Sequence, residues 1–350
     1  MLATEIRVTP PPDRVALLSE SPFDWKQIVQ PLDPFLQAVA ARLGEQIQAF
    51  DSDLACYAEY ALTGQGKQLR PALVGLAAGA TGKLNDSHIT VAVIIEMVHL
   101  ATLVHDDVMD EATLRRGRPT LTANWGNEIS VLLGDCLFAH ALKLAASFPT
   151  PEICRAVASA TNTVCSGEIL QTQARRNFRF TRADYFKVLS MKTGELFALS
   201  CDLGALLCGP TAAQRQALRD YGMALGTAYQ IYDDCMDLFG TEDSAGKSLG
   251  TDLAKGKLTL PMLVVLESGG VAARAQLQSL VESWRPDAMA QLRPLLNQHD
   301  ALIESRRVIQ EYLRTARRLL DPLPDTTGRA GLLALGVFLE RQTEALGNTG

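Results

Sequence analysis

The chain has 350 residues, of which 47% are hydrophobic and 21% are charged, and its net charge is −6. This composition supplies ample apolar material for a core. A negative net charge without a run of basic residues argues against nucleic-acid binding. The seven cysteines show no CxxC spacing, which argues against a disulfide framework or a zinc site and favours a reducing compartment.

The N-terminal segment, residues 1–22, is predicted to be a flexible tail, and residues 23–350 are predicted to form one domain. The first dozen residues include Glu5, Arg7 and three consecutive prolines, so they resemble neither a signal peptide nor a membrane span. No later window holds 18 apolar residues free of charge, so no transmembrane segment is expected. We therefore expect a cytoplasmic protein.

Apolar residues recur at helical spacing along most of the chain, and strand-like alternation is nearly absent. Glycine and proline breaks separate the periodic segments. The predicted helices cover residues 25–50, 52–62, 72–80, 86–111, 127–147, 151–174, 182–190, 192–208, 211–239, 258–268, 272–283, 287–297, 301–320 and 328–345. Because no linker rich in Ser, Gly or Pro divides the chain, the economical fold is a single all-α domain.

Two aspartate clusters organise the chain. In the first, Asp106 and Asp110 lie four residues apart on one helix face, with Asp107 close by. Like charges at this spacing destabilise a helix, so the cluster indicates a bound cation, and carboxylate ligands suit Mg²⁺. The second cluster repeats the pattern at Asp233, Asp234 and Asp237. Two such clusters on apolar segments predict two groups of carboxylates that face one polyphosphate.

Several basic and polar residues lie near these clusters. Lys67 and Arg70 lie three residues apart at a predicted helix start, where an anion could bind. A solvated basic turn is the alternative interpretation. Arginine suits bidentate contact with phosphate, although the arginines after the first cluster could also compensate its charge. The other candidates are His99, Arg115, Arg116, Arg118, Lys192, Thr193, Gly194, Gln230 and the loop lysines Lys247, Lys255 and Lys257.

Glu168 and Gln171 form a polar pair three residues apart on the predicted helix 151–174. Their spacing places them on one helix face. They could line a cavity, or they could pair with Arg175 or Arg176.

Taken together, these residues resemble the trans-isoprenyl diphosphate synthases of the polyprenyl synthetase family, over about residues 66–261. The motifs that carry the resemblance are GKQLRP at 66–71, HLATLVHDDVMDEATLRRGRPT at 99–120, KTG at 192–194, YQIYDDCMD at 229–237 and GKSLGTDLAKGKLTLP at 246–261. The resemblance implies a bundle of antiparallel helices around a deep central cavity, usually in a homodimer. It also implies that an allylic diphosphate, farnesyl or geranylgeranyl diphosphate, condenses in trans with successive isopentenyl diphosphates.

The resemblance also implies a role for each site residue. The metal residues, for two or three Mg²⁺ ions, would be Asp106, Asp107, Asp110, Asp233, Asp234 and Asp237. The allylic diphosphate would contact Arg115, Lys192, Lys247 and Lys257, and isopentenyl diphosphate would contact Lys67, Arg70, His99 and Arg116. Thr193 and Gln230 would face the developing cation, so the catalytic set is Lys192, Thr193, Gln230 and Arg115.

Product length in this family depends on the side chains below the first aspartate cluster. Family members with an aromatic residue four or five positions before the first aspartate give short products, and here these positions hold Thr102 and Ala101. We therefore expect a long-chain product, of the hexaprenyl to decaprenyl type. Phe138 on the facing helix is a second candidate gate, so a short-chain synthase is the alternative. Transient membrane contact during product release would be compatible with a long-chain product.

Other classes fit the sequence less well. A class I terpene cyclase needs one diphosphate pocket and a different second metal motif. A non-catalytic partner subunit would be expected to lose aspartates, and all six remain. An all-α di-metal carboxylate protein would need two Glu-x-x-His motifs, and the sequence holds one, Glu96 to His99.

Overall fold

The computed structural model describes residues 24–63, 66–115, 117–241 and 249–347. The predicted tail, residues 1–22, lies outside these ranges. The sixteen α-helices of the described chain are α1 Trp25–Val29, α2 Asp33–Ile47, α3 Ser52–Thr63, α4 Leu69–Thr81, α5 Asp86–Met109, α6 Leu121–Ala146, α7 Glu152–Gln173, α8 Arg182–Leu189, α9 Glu195–Leu206, α10 Ala212–Phe239, α11 Thr251–Ala254, α12 Leu260–Ser268, α13 Val271–Glu282, α14 Met289–Gln298, α15 Ala301–Leu319 and α16 Thr327–Ala345. The prediction of an all-α fold is confirmed.

Shorter elements connect some of these helices. Two 3₁₀ turns cover Gln30–Leu32 and Pro286–Ala288, and a π-helical turn covers Ser190–Gly194. Strands β1 (Leu114–Arg115) and β2 (Arg118–Pro119), of two residues each, form an antiparallel hairpin just after the first aspartate cluster. Within the described residues this hairpin is the whole of the β-structure.

Helix α9 lies at the centre of the bundle, between α4 and α10. Its residues from Glu195 to Ala205 are all buried, as expected for a predominantly apolar helix in the core. The packing against α10 is close because Gly222 has no side chain: a Cβ there would lie 2.5 Å from the backbone oxygen of Phe197. This contact fixes α10, and with it the second aspartate cluster, against the core.

Helices α5 and α6 form another closely packed pair. Thr120 caps α6 by accepting a hydrogen bond from the backbone N–H of Ala123 at 3.1 Å. The helix therefore begins six residues before the predicted start at residue 127. The sequence prediction missed this first turn because Gly126, with φ 84°, interrupts the regular helix.

Both α5 and α6 are long and apolar enough to cross a membrane by length and composition. However, 61% of the apolar window of α5 is buried inside the protein, and core helices of soluble proteins pass the same test. The two helices also contain charged residues, so they are compatible with the expectation of no uncharged apolar window of 18 residues.

Candidate active site

The first aspartate cluster (Asp106, Asp107 and Asp110) ends helix α5. Asp107 is buried, with 5% of its surface exposed, and it accepts two hydrogen bonds from Nε of Arg115, at 2.9 and 3.1 Å. Burial raises the pKa of Asp107, and the Arg115 guanidinium opposes this rise. The pair therefore ties the β1–β2 hairpin to the end of α5.

Three cations surround Asp110. Its carboxylate lies 3.1 Å from Arg175, 3.1 Å from Lys255 and 3.4 Å from Lys257. Burial acts to raise the pKa of Asp110, but the positive charges of Lys257 and Lys255 outweigh it and hold that pKa below its usual value. Asp110 is therefore kept ionised, and two segments distant in sequence meet at its carboxylate.

Lys192 lies between the first cluster and helix α7. Its Nζ is 4.0 Å from Oδ2 of Asp106 and donates a hydrogen bond to Gln171 at 3.0 Å. It also forms an ion pair with Glu168. Burial raises the pKa of Glu168, and the charge of Lys192 opposes that rise. The polar pair on α7 therefore binds Lys192, a partner that the sequence did not predict.

The second aspartate cluster (Asp233, Asp234 and Asp237) lies in the last two turns of α10. Asp234 is buried and accepts hydrogen bonds from the Tyr185 hydroxyl at 2.6 Å and from Nε2 of Gln230 at 2.9 Å. Burial, and after it the nearby charge of Asp252, raise the pKa of Asp234 to about 8. Asp233 is half-buried.

Asp237 is fully buried and anchors the segment that follows the second cluster. It accepts hydrogen bonds from the backbone N–H and the hydroxyl of Thr251, at 3.2 and 3.1 Å, and from the backbone N–H of Asp252 at 3.2 Å. These groups form the first turn of α11. The carboxylate thus stabilises the start of α11.

Lys257 joins the two clusters. Its Nζ lies 3.4 Å from Asp110 and 3.2 Å from Asp252, and Asp252 is hydrogen-bonded to Asp237 through its backbone. Burial acts to lower the pKa of Lys257, but the carboxylates of Asp252 and Asp110 outweigh it and raise that pKa. Lys257 therefore connects the first cluster, through Asp252, to the segment that Asp237 holds.

Thr193 and Gln230 lie together beside this site. The π-helical turn places the Thr193 hydroxyl 2.7 Å from Oε1 of Gln230, to which it donates a hydrogen bond. A π-helical turn of this kind is a frequent feature of functional sites.

Two of the residues predicted for isopentenyl diphosphate, Lys67 and Arg70, lie at the N-terminus of α4. Lys67 is exposed and borders a cavity of about 60 Å³. Arg70 is half-buried, with its guanidinium 5.3 Å from the centre of the Phe197 ring. His99 is half-buried on α5, two turns before Asp106. The other two predicted phosphate contacts, Arg116 and Lys247, lie outside the described residues.

The predicted chain-length residues lie one turn below the first aspartate cluster and on the facing helix. Ala101 is fully buried, and Thr102 is half-buried with its hydroxyl bonded to the backbone oxygen of His99 at 2.7 Å. Phe138 on α6 contacts the ring of His105, at 5.6 Å between ring centres.

Sequence reasoning missed the site contacts of three residues. Arg175 was considered only as a partner for Glu168, yet it binds Asp110. Lys255 was assigned to a loop without a contact of its own. Tyr185 carried no signal at all, because a tyrosine on an amphipathic helix is usually part of the core, and its bond to Asp234 appears only once the chain is folded.

The two clusters offer a metal only oxygen donors, which suits a hard cation such as Mg²⁺. In the described parts of the chain, no three acidic, histidine or cysteine side chains group closely enough to hold an ion by themselves. This agrees with the usual Mg²⁺ arrangement, in which one or two carboxylates bind the ion and substrate phosphates complete its shell. The residues present therefore fit Mg²⁺ bound together with a phosphate ligand.

Residues 52–298 match the polyprenyl synthetase family. The chain is similar to octaprenyl diphosphate synthase of Haemophilus influenzae, with 33% identity over 87% of this chain and 92% of that protein. It is also similar to nonaprenyl diphosphate synthase of Mycobacterium tuberculosis, with 36% identity over 86% of this chain and 92% of that protein.

Solved structures show the same relationship. A decaprenyl diphosphate synthase from Rhodobacter capsulatus has a TM-score of 0.85 and 33% identity, over 91% of this chain and 99% of that chain. A polyprenyl synthase from Caulobacter crescentus, complexed with calcium and isoprenyl diphosphate, has a TM-score of 0.86 and 30% identity, over 92% of this chain and 99% of that chain. This chain therefore belongs to the polyprenyl synthetase family and is a prenyltransferase.

Proposed function

We propose that the enzyme condenses farnesyl or geranylgeranyl diphosphate with successive isopentenyl diphosphates in trans and releases a long-chain polyprenyl diphosphate. The observation that carries this proposal is the link between the two aspartate clusters through Lys257, with Lys192 beside Asp106. Relatives named as octaprenyl, nonaprenyl and decaprenyl diphosphate synthases support the long product.

The allylic diphosphate would bind between the two aspartate clusters. Asp106, Asp110 and Asp233 would hold two or three Mg²⁺ ions, with Asp107, Asp234 and Asp237 as further ligands or as supports for them. The related Caulobacter structure contains calcium and an isoprenyl diphosphate, which supports a site of this type. When bound, Mg²⁺ supplies positive charge that stabilises the leaving diphosphate.

The protein's own cations would share this task. Arg115, Lys192 and Lys257 were predicted from sequence, and Lys247 would add to them. Arg175 and Lys255 join the set because both contact Asp110. Apart from Lys247, which lies outside the described residues, each of these cations pairs with an aspartate, and a bound diphosphate would become a further anionic partner. A preorganised cationic site stabilises the charge that develops on the leaving group.

Isopentenyl diphosphate would bind at the N-terminus of α4, where Lys67 and Arg70 lie. His99 and Arg116 would complete this second phosphate site. A helix N-terminus contributes unpaired N–H groups and a positive dipole end, which favour an anion. Two separate diphosphate sites fit a condensation of two substrates.

The reaction would proceed in three steps. The C–O bond of the allylic diphosphate breaks and leaves an allylic cation. The double bond of isopentenyl diphosphate attacks that cation and forms the new C–C bond. A proton then leaves the adduct, with the departed diphosphate as the base. The oxygens of Thr193 and Gln230 would face the cation, and apolar walls would exclude water from it.

We also propose that the enzyme is a cytoplasmic homodimer. The apolar side chains Val131 and Leu132 on α6 are 40% and 61% exposed in a single chain, and a second copy could cover them. The free cysteines fit a reducing compartment. Sedimentation of the purified protein should give the mass of two chains, and a mass of one chain at micromolar concentration would reject the dimer.

A product assay tests the proposed function. The purified chain is incubated with Mg²⁺, farnesyl diphosphate and labelled isopentenyl diphosphate, and the products are separated by length. We expect all-trans products in the hexaprenyl to decaprenyl range, and no products when a chelator removes Mg²⁺. Geranylgeranyl products alone would favour the short-chain alternative, and a cyclic hydrocarbon would overturn the proposal.

A further inference from the structure

Tyr185 on α8 has a buried hydroxyl that the proposed reaction does not use. Only 3% of the residue is exposed, and its Oη donates a hydrogen bond to Oδ2 of Asp234 at 2.6 Å. A buried hydroxyl needs a partner, but most such groups find a backbone carbonyl. Tyr221, which is also buried, does so: its hydroxyl donates to the backbone oxygen of Leu332 at 2.6 Å.

The other oxygen of Asp234 is held as well. Oδ1 accepts a hydrogen bond from Nε2 of Gln230 at 2.9 Å. Both carboxylate oxygens are therefore bound to neutral donors of the protein, in a position with only 5% exposure. The side chain of Asp234 is accordingly fixed toward α8.

Gln230 is fixed at both ends of its amide. Its Nε2 donates to Asp234, and its Oε1 accepts from the Thr193 hydroxyl at 2.7 Å. While Asp234 is ionised, the reversed amide would place its NH₂ group against the hydroxyl and its oxygen against the carboxylate, which loses the bond to Asp234. The carboxylate thus determines which way the amide oxygen points.

These three bonds form one continuous chain from Tyr185 through Asp234 and Gln230 to Thr193. It joins α8, α10 and the π-helical turn. Tyr185 lies at the end remote from the residues proposed to face the cation. Linked hydrogen bonds of this kind act together, so that the loss of one member affects the others.

We propose that Tyr185 is a positioning residue for prenyl transfer, which acts through Asp234 to orient the amide of Gln230 and the hydroxyl of Thr193. This inference rests on the proposed function, because it needs those two groups to face the reacting carbon. Asp234 then serves first as a holder of Gln230, and Asp233 and the first aspartate cluster carry the larger share of metal binding.

The test compares Tyr185→Phe with Tyr221→Phe. Both changes remove one buried hydroxyl and one 2.6 Å hydrogen bond, but only the first bond leads to the site. Working sites are counted by binding of farnesyl thiolodiphosphate with Mg²⁺, and kcat is expressed per working site. We expect Tyr185→Phe to lower kcat by about ten- to a hundredfold, the range that misplacement of reacting groups produces, with a much smaller change in KM for isopentenyl diphosphate.

Tyr221→Phe should lower the melting temperature by a similar amount and leave kcat per site close to that of the wild type. A second arm introduces Tyr185→Phe into an Asp234→Asn background. If Tyr185 acts through the carboxylate, its effect there should be clearly smaller than in the wild type.

Equal kcat for the two phenylalanine variants would overturn the inference, as would full additivity with Asp234→Asn. Neither result would affect the proposed function as long as the wild type forms polyprenyl products. An inactive wild type would instead overturn the proposed function itself.

Discussion

At the scale of single residues, the pKa of an aspartate differs from one position of the site to another. Asp110 lies among three cations, which keep its pKa below the usual value against the effect of burial. Asp234 is bound by neutral donors, and burial raises its pKa to about 8. Asp110 is therefore ready to bind metal over a wide pH range, whereas Asp234 is held within the protein.

The length of the product is also decided by single side chains. Ala101 is fully buried one turn before the aspartates, and a phenylalanine there would have to extend into any tail pocket beside α5. We predict that Ala101→Phe shifts the products toward shorter chains while turnover continues, because no proposed phosphate or metal contact changes. The products are measured by chromatography after incubation with labelled isopentenyl diphosphate.

The control for this change is Ala158→Phe, at an exposed position on α7. It adds the same bulk away from the proposed pocket and should leave the product range as in the wild type. An unchanged product range in a folded Ala101→Phe variant would show that the pocket does not pass this position.

At the scale of the elements, the site depends on the close packing of α9 against α10. A Cβ at Gly222 would lie 2.5 Å from the Phe197 backbone oxygen, and backbone cannot move aside as a flexible side chain can. We predict that Gly222→Ala destabilises the protein by about 1–3 kcal/mol, the usual cost of overpacking. Urea unfolding followed by circular dichroism measures the change.

Gly44 on α2 gives the matched comparison. It is exposed, and a Cβ there would meet nothing within 4 Å. Gly44→Ala should therefore stabilise the protein by up to about 1 kcal/mol, the difference in helix propensity. If both variants gained stability, the close approach of α9 and α10 would not exist in solution.

Most helices could be predicted from the sequence, because apolar periodicity and strong stop signals are local properties. The helix predicted over residues 211–239 is found at Ala212–Phe239, with Thr211 as its cap. The first turn of α6 could not be predicted, because Gly126 breaks the local pattern while the Thr120 cap holds the turn. Helix α11 was missed because its capping carboxylate, Asp237, comes from another helix.

The aspartates and most of the basic residues could be singled out because their spacing and order form recognisable motifs. Their individual partners could not be predicted, because each contact joins segments far apart in sequence. Lys257 and Asp110 are 147 residues apart, and no local pattern records that pairing. The same holds for Arg175, which lies 65 residues from its partner Asp110.

At the scale of the whole molecule, the fold brings the ends of α5 and α10 to the same end of the bundle. Lys257 contacts Asp110 and Asp252, and Lys192 lies next to Asp106 while the following residue, Thr193, holds Gln230. The two clusters are therefore connected by two separate routes. A single diphosphate bound between them would interact with both clusters, which gives the central claim a measurable consequence.

The most direct test is a double-mutant cycle on the Mg²⁺-dependent binding of farnesyl thiolodiphosphate, measured by calorimetry for the wild type, Asp106→Asn, Asp233→Asn and the double variant. Asp220→Asn, at an exposed position near the start of α10, serves as the control. We predict that each single variant loses most of the Mg²⁺-dependent affinity and that the double variant loses less than the sum, with a coupling energy of about 0.5–3 kcal/mol. Strictly additive losses would contradict the account, because they would mean that the two clusters do not share one diphosphate.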